Sequence, residues 1–145
     1  MRAQDFFEEL GIANHCLEKS YDRFLGEYGL SHARWLVIDA VIANGDKARP
    51  TIIASKLGLT KATVSSLVKS LEMQGLVGRR PCVKDGRQIC VFISSKGKSL
   101  AEEIRPSLEK YTHELFDNVA KDKLVVAYQV FKQIQNNQSQ KISFL

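Results

Sequence analysis

In the segment TKATVSSLVKSLEMQG, residues 60–75, Lys61, Thr63, Ser65, Ser66 and Lys69 share one side of a helical spacing. Val64, Leu67, Val68 and Leu71 recur on the other at three- and four-residue steps. The chemistry open to the first set is recognition of a polyanion. Short hydroxyl side chains let a backbone approach phosphates and base edges, and lysines supply charge. The second set makes a buried stripe that would hold the helix against a core. Thr60 can cap the helix start by accepting an otherwise orphaned backbone N–H. Gly75 can end it, because glycine takes the left-handed C-terminal conformation without steric cost.

Such a helix needs elements that aim it. Residues 51–57, TIIASKL, read as a short amphipathic helix beginning at Thr51, followed by Gly58-Leu59 and the Thr60 cap. Two short helices joined by a tight glycine-containing turn form the helix-turn-helix pattern. Residues 76–82 and 88–93 then alternate or are β-branched, and they flank Lys84-Asp85-Gly86-Arg87. Asp-Gly between two such runs signals a hairpin. With Arg79, Arg80, Lys84 and Arg87 the hairpin reads as a basic wing beside the recognition helix. Taken singly, a capped surface helix and a solvated basic hairpin would be ordinary; their order and spacing favour a DNA-reading unit.

The 145 residues fit one domain, with a formal net charge of +5. The distribution of charge is more informative than its total. Between Lys47 and Lys98 the carboxylates are Glu72 and Asp85 alone, while lysines and arginines recur throughout. The positive field is thus concentrated on the two short helices and the wing. No run of about 18 apolar residues is present, so no membrane partner is expected. The start, MRAQDFFEEL, carries acids where a signal peptide needs an apolar stretch, which predicts a cytoplasmic protein. Cys16, Cys82 and Cys90 are odd in number and lack CxxC spacing, so neither a disulfide framework nor a zinc site is expected. His15, His32 and His113 are scattered. With no phosphate loop, nucleophile elbow or HExxH pair, no catalytic residue, metal or cofactor is expected, and the chain is read as a non-enzyme.

Both ends read as long helices. Phe6, Leu10, Ala13, Leu17, Tyr21, Phe24 and Tyr28 step by three or four until Gly29. A second helix over residues 33–43 is capped by Ser31 and closed by Asn44-Gly45. Later, Ser94 or Ser95 can cap a helix through Leu100, Ile104, Leu108, Tyr111, Leu115 and Val119, with a bend expected at Pro106. Leu124, Val125, Tyr128, Phe131 and Ile134 mark a last helix, before a polar tail ending in Phe144-Leu145. Apolar stripes flanking so small a module have little core of their own, which makes dimerisation the economical way to bury them.

These residues resemble the MarR (multiple antibiotic resistance) transcriptional regulators over nearly the whole chain. The likeness rests on Leu30 and Trp35, on IIASKLGLTKATVSSLVKSLEMQGLVGRR at 52–80, and on DGRQICVFISSKG at 85–97. Asp85, Arg87, Ser94 and Gly97 occupy the positions of the family wing and of the helix after it. Cys82 is a departure, standing where many members place an acid. The resemblance implies a mainly α fold with a β-hairpin wing. A winged helix-turn-helix lobe at about 31–98 would be combined with dimerisation helices at about 4–28 and 99–138, all within one domain, 1–145. It implies a homodimer on a pseudo-palindromic double-stranded DNA operator, with half-sites roughly 34 to 36 Å apart. Arg87, held by Asp85, would enter a narrow A·T-rich minor groove. Lys61, Thr63, Ser65 and Ser66 would read bases or nearby phosphates, with Thr51 beside them, and Lys69, Arg79, Arg80 and Lys84 would neutralise phosphates.

Family members usually repress, and they release DNA when a small phenolic or anionic effector, or an oxidant, acts. Tyr21, Phe24, Tyr28 and Trp35 are the residues that could line an effector pocket, although a helical aromatic stripe is more commonly core. Cys16 is the candidate oxidant site, since some organic-hydroperoxide sensors of the family use a cysteine on the first helix; inert packing is its plainer role. The alternative to DNA binding is a winged helix that binds only protein. That would call for an apolar or acidic recognition face rather than this hydroxylated, basic one.

Overall fold

The computed structural model describes residues 1–142, so the expected apolar end at Phe144-Leu145 lies outside the described residues. The chain divides into two units, Met1–Leu108 and Glu109–Leu145. The first holds α1 (Ala3–Gly26), α2 (His32–Asn44), a 3-10 turn (Gly45–Lys47), α3 (Pro50–Leu57), α4 (Lys61–Met73), β1 (Val77–Pro81), β2 (Ile89–Ile93) and the start of α5 (Ser95–Leu115). The second holds the end of α5 and α6 (Lys121–Ile142).

Local chemistry accounts for the boundaries. Ser31 Oγ accepts the Arg34 N–H at 3.2 Å to start α2, and Thr60 Oγ1 accepts the Thr63 N–H at 3.1 Å to start α4. Of the two serines that could cap α5 it is Ser94, which accepts the Gly97 N–H at 3.0 Å and donates to the Gly75 carbonyl at 2.6 Å. Gly58 (φ 66°) and Gly75 (φ 75°) close α3 and α4 in the left-handed region, where a side chain would be strained. Pro50 opens α3 at a position whose N–H would have no intrahelical partner in any case.

The core of the first unit is one cluster. Ile38, Ile53, Val64, Val68, Leu71, Leu76, Val91 and Ile104 are all buried. Each such residue contributes about 1.5 to 3 kcal/mol by leaving water. Val64, Val68 and Leu71 are the expected stripe of α4, while Leu67 is half-buried. β1 and β2 pair antiparallel from Val77↔Ile93 to Pro81↔Ile89, and the Cys82 N–H extends the ladder to the Gln88 carbonyl at 2.8 Å. Val91 N–H donates to the Ala48 carbonyl at 2.8 Å, which joins the wing to the residues that lead into α3.

Three expectations are corrected. α1 ends at Gly26, so Tyr28 lies in the following turn. α5 ends at Leu115 and does not reach Val119; Asn118 takes φ 62°, a conformation that asparagine tolerates better than most residues and that no helix continues through. Lastly, Cys82 and Cys90 are joined by a disulfide, although their spacing in the chain had spoken against one. The register explains it: position 82 pairs with 88, so Cys90 lies diagonally across the ladder on the same face, with the two Cα atoms 5.1 Å apart.

Candidate nucleic-acid interface

α3, α4 and the wing enclose a cleft of about 620 Å³ whose lining includes Arg49, Thr51, Lys61, Ser65, Arg79, Arg80 and Gln88. Five residues singled out from the sequence therefore meet there: Thr51, Lys61, Ser65, Arg79 and Arg80. Ser66 and Lys69 are exposed farther along α4, while Lys84, Asp85 and Arg87 are exposed at the wing tip, outside the cleft. Thr63 is exposed, but its hydroxyl lies 2.8 Å from that of Thr60, so it is engaged in the cap.

The cationic side chains are individually positioned. Arg79 Nε lies 2.7 Å from Glu72 Oε1, tying the wing to the last turns of α4. The guanidinium of Arg80 stands 4.9 Å from the centroid of the Phe92 ring, a cation–π contact that orients it. At the wing tip, Asp85 Oδ1 accepts the Arg87 N–H at 3.1 Å and is 3.7 Å from Arg87 Nε. The Arg87 side chain itself is 96% exposed and free to reach outward.

Arg49 and Gln88 belong to this interface and carry no signal that sequence periodicity could reveal. The Arg49 guanidinium donates to Gln88 Oε1, a side-chain bridge from the N-cap of α3 to the neck of the wing. The only hint is Pro50: proline at the first helical position makes the preceding residue the cap. Glu72 and Phe92 were likewise missed, because their roles depend on partners from other elements.

The other candidates lie elsewhere. Trp35 is buried in the core, and Tyr21, Phe24 and Tyr28 are half-buried against it. Tyr21 also stacks on His32 with ring centroids 4.8 Å apart. Burial pulls the His32 pKa below its ordinary value, with Asp22 and Glu18 opposing the shift. Cys16 is a free, exposed thiol on α1, beside Phe7, Ile12 and His15 in a shallow surface cleft. Among the described residues no group of three or more His, Cys, Asp or Glu could hold a metal ion, and no helix is long and apolar enough to cross a membrane.

A MarR family model matches residues 28–88, which span α2, α3, α4, β1 and the wing tip. Over that segment the chain resembles the MarR family. The chain is 27% identical over 117 residues to the HTH-type transcriptional repressor YetL of Bacillus subtilis, an alignment that covers 74% of the chain and 68% of YetL. Its fold is similar to that of CouR from Rhodococcus jostii, solved with p-coumaroyl-CoA (TM-score 0.82, 18% identity, 90% of this chain and 91% of CouR). It is also similar to that of S. aureus MepR in complex with DNA (TM-score 0.71, 17% identity, 98% of this chain and 95% of MepR). The chain thus shares the winged-helix fold of these proteins, mainly helical with a single two-stranded hairpin among the described residues.

Proposed function

We propose that this chain is a sequence-specific DNA-binding transcriptional regulator, most simply a repressor, that acts in the cytoplasm as a homodimer on a pseudo-palindromic operator. The observation that carries this reading is the convergence of Thr51, Lys61, Ser65, Arg79 and Arg80 on one cleft, with Arg87 projecting from the wing beyond it. In that geometry α4 enters a major groove, where Lys61 and Ser65 meet base edges or phosphates. Ser66 and Lys69 follow along the same helix. Arg79, Arg80 and Lys84 neutralise phosphates, and Arg87 extends toward a neighbouring minor groove.

The dimer is supported by α6, whose Leu124, Val125, Tyr128, Phe131 and Ile134 are exposed in the single chain. Apolar side chains at helical spacing on one element are what a partner helix would cover. An effector of phenolic or anionic character is supported by the ligand held in CouR. Tyr21, Phe24, Tyr28 and Trp35 are its candidate contacts, and Cys16 is a candidate site for an oxidant.

Selection of bound sequences from a random duplex pool, followed by a salt titration with the winner, tests the reading. A palindromic preference is expected, with log affinity falling linearly in log salt by about 0.9 per neutralised phosphate. A flat salt response, or recovery of no preferred sequence, would leave a protein-binding winged helix as the better account.

A further inference from the structure

Cys82 and Cys90 stand at the neck of the wing, bracketing the tip that carries Lys84, Asp85 and Arg87. They are 8% and 3% exposed, yet both line an open cleft of about 450 Å³ between the 3-10 turn and the wing. Lys47, Arg49 and Lys84 bring positive charge to that cleft, and Asp46 and Asp85 bring negative charge. Both cysteines thus border a cleft that a small molecule can enter.

The reduced state is also provided for. Cys90 Sγ lies 3.3 Å from the Asp46 carbonyl oxygen, so a Cys90 thiol has an acceptor in place once the bond is broken. The tip has few other restraints. Residues 83–89 are all exposed, and they are held by Cys82 N–H to the Gln88 carbonyl (2.8 Å), Gln88 N–H to the Asp85 carbonyl (3.1 Å), Arg87 N–H to Asp85 Oδ1 (3.1 Å) and, at the neck, the Arg49 guanidinium to Gln88 Oε1. Where thiols are generally kept reduced, a pair held at bonding distance is transient and redox-sensing rather than structural.

We propose that Cys82 and Cys90 form a reversible thiol–disulfide site, oxidised by low-molecular-weight disulfides, that sets the order of the wing tip. In the oxidising direction one thiolate attacks a sulfur of the small disulfide, giving a mixed disulfide and releasing one small thiolate. The second cysteine thiolate then attacks the protein sulfur of the mixed disulfide, closing Cys82–Cys90 and expelling the second small thiolate. The protein dithiol loses two electrons and the small disulfide gains them. Reduction by a small dithiol reverses both steps and leaves the tip tethered only by its few hydrogen bonds. The consequence for affinity, unlike the chemistry, rests on the DNA-binding reading above. A loosened tip must be ordered when DNA is bound, so the dithiol form binds more weakly, by roughly threefold to tenfold.

The test compares the wild-type full chain in two states, reduced with dithiothreitol or treated with oxidised glutathione, and needs no substitution that could disturb folding. Differential alkylation with peptide mass spectrometry should show Cys82 and Cys90 blocked together after glutathione disulfide and recovered together after dithiothreitol, with Cys16 followed separately on its own peptide. Hydrogen exchange at residues 84–87 should slow on oxidation. Persistent free thiols or stable glutathione adducts at Cys82 or Cys90 would overturn the proposal, as would unchanged exchange at the tip once the disulfide has formed. Affinity for a duplex selected from a random pool by the oxidised protein should then fall on reduction; equal affinity in both states would overturn control of binding by the wing. If the exchange change is present but no duplex binds in either state, the redox site stands and the regulator reading fails.

Discussion

Asp85 holds Arg87 chiefly by its backbone: the carboxylate accepts the Arg87 N–H at 3.1 Å, while the guanidinium Nε is farther off at 3.7 Å. The aspartate therefore shapes the turn and leaves the cation extended. Arg87→Ala should weaken binding to every duplex that the parent binds without changing the preferred major-groove bases. Asp85→Ala should loosen the turn and weaken binding less. Asp85→Asn keeps an oxygen acceptor and removes a negative charge, so it should bind at least as tightly as the parent. Titration of each variant against the selected duplex checks the order, and an Arg87→Ala protein of parental affinity would refute the role given to the wing tip.

Glu72 and Arg79 make a half-exposed pair at 2.7 Å in which the carboxylate offsets one of the cations of the cleft. Glu72→Gln should release Arg79 to phosphate and steepen the log–log salt dependence by about 0.9. Its effect on unfolding free energy should be under about 1 kcal/mol, the usual range for such a pair in water. An unchanged slope would mean that Arg79 does not face phosphate.

Exposed apolar residues on α6 predict the assembly. Replacing Leu124 and Phe131 together by glutamate should give a monomer in sedimentation, because a charge buried without a partner is costly. DNA binding should fall with it. A parent chain that sediments as a stable monomer at micromolar concentration would contradict the homodimer.

Gly97 packs its α-carbon where a Cβ would collide with the Leu76 carbonyl and approach Ile93 Cδ1 at 2.7 Å. The first of these neighbours is backbone and cannot swing aside. Gly97→Ala should therefore lower stability by about 1 to 3 kcal/mol or more, read as a fall in Tm.

Because burial lowers the His32 pKa, the unfolded chain takes up a proton there before the folded chain does. Stability from this group is present above the ordinary imidazole range and is lost as pH falls through that range toward the lower folded value. His32→Phe, which retains a ring to stack on Tyr21, should flatten this part of the profile in denaturant titrations across pH.

The features legible in the sequence were those that a short stretch of chain decides alone. Thr60, the Val64–Val68–Leu71 stripe and Gly75 define α4 through capping, 3.6-residue periodicity and left-handed geometry, and each is where that chemistry puts it. Ser31 and Ser94 are of the same kind. Pairings between distant positions were not legible: Arg49 with Gln88, Glu72 with Arg79, and Cys82 with Cys90 depend on wing register and on how α3 and α4 pack, which no local pattern encodes. The end of α5 was overrun because Leu115 and Val119 keep helical spacing, and spacing does not reveal that Asn118 turns the backbone.

The bond from Val91 N–H to the Ala48 carbonyl, with Arg49 gripping Gln88 one residue later, attaches the wing to the lead-in of α3 at two adjacent points. Such a double attachment would make the lobe a caliper whose jaw width is restrained. A duplex whose major and minor grooves are not already spaced to match would then bend or narrow more readily than the jaws would part. Flexible or A·T-rich steps, which deform or narrow at least cost, would then be favoured at base pairs that no side chain touches.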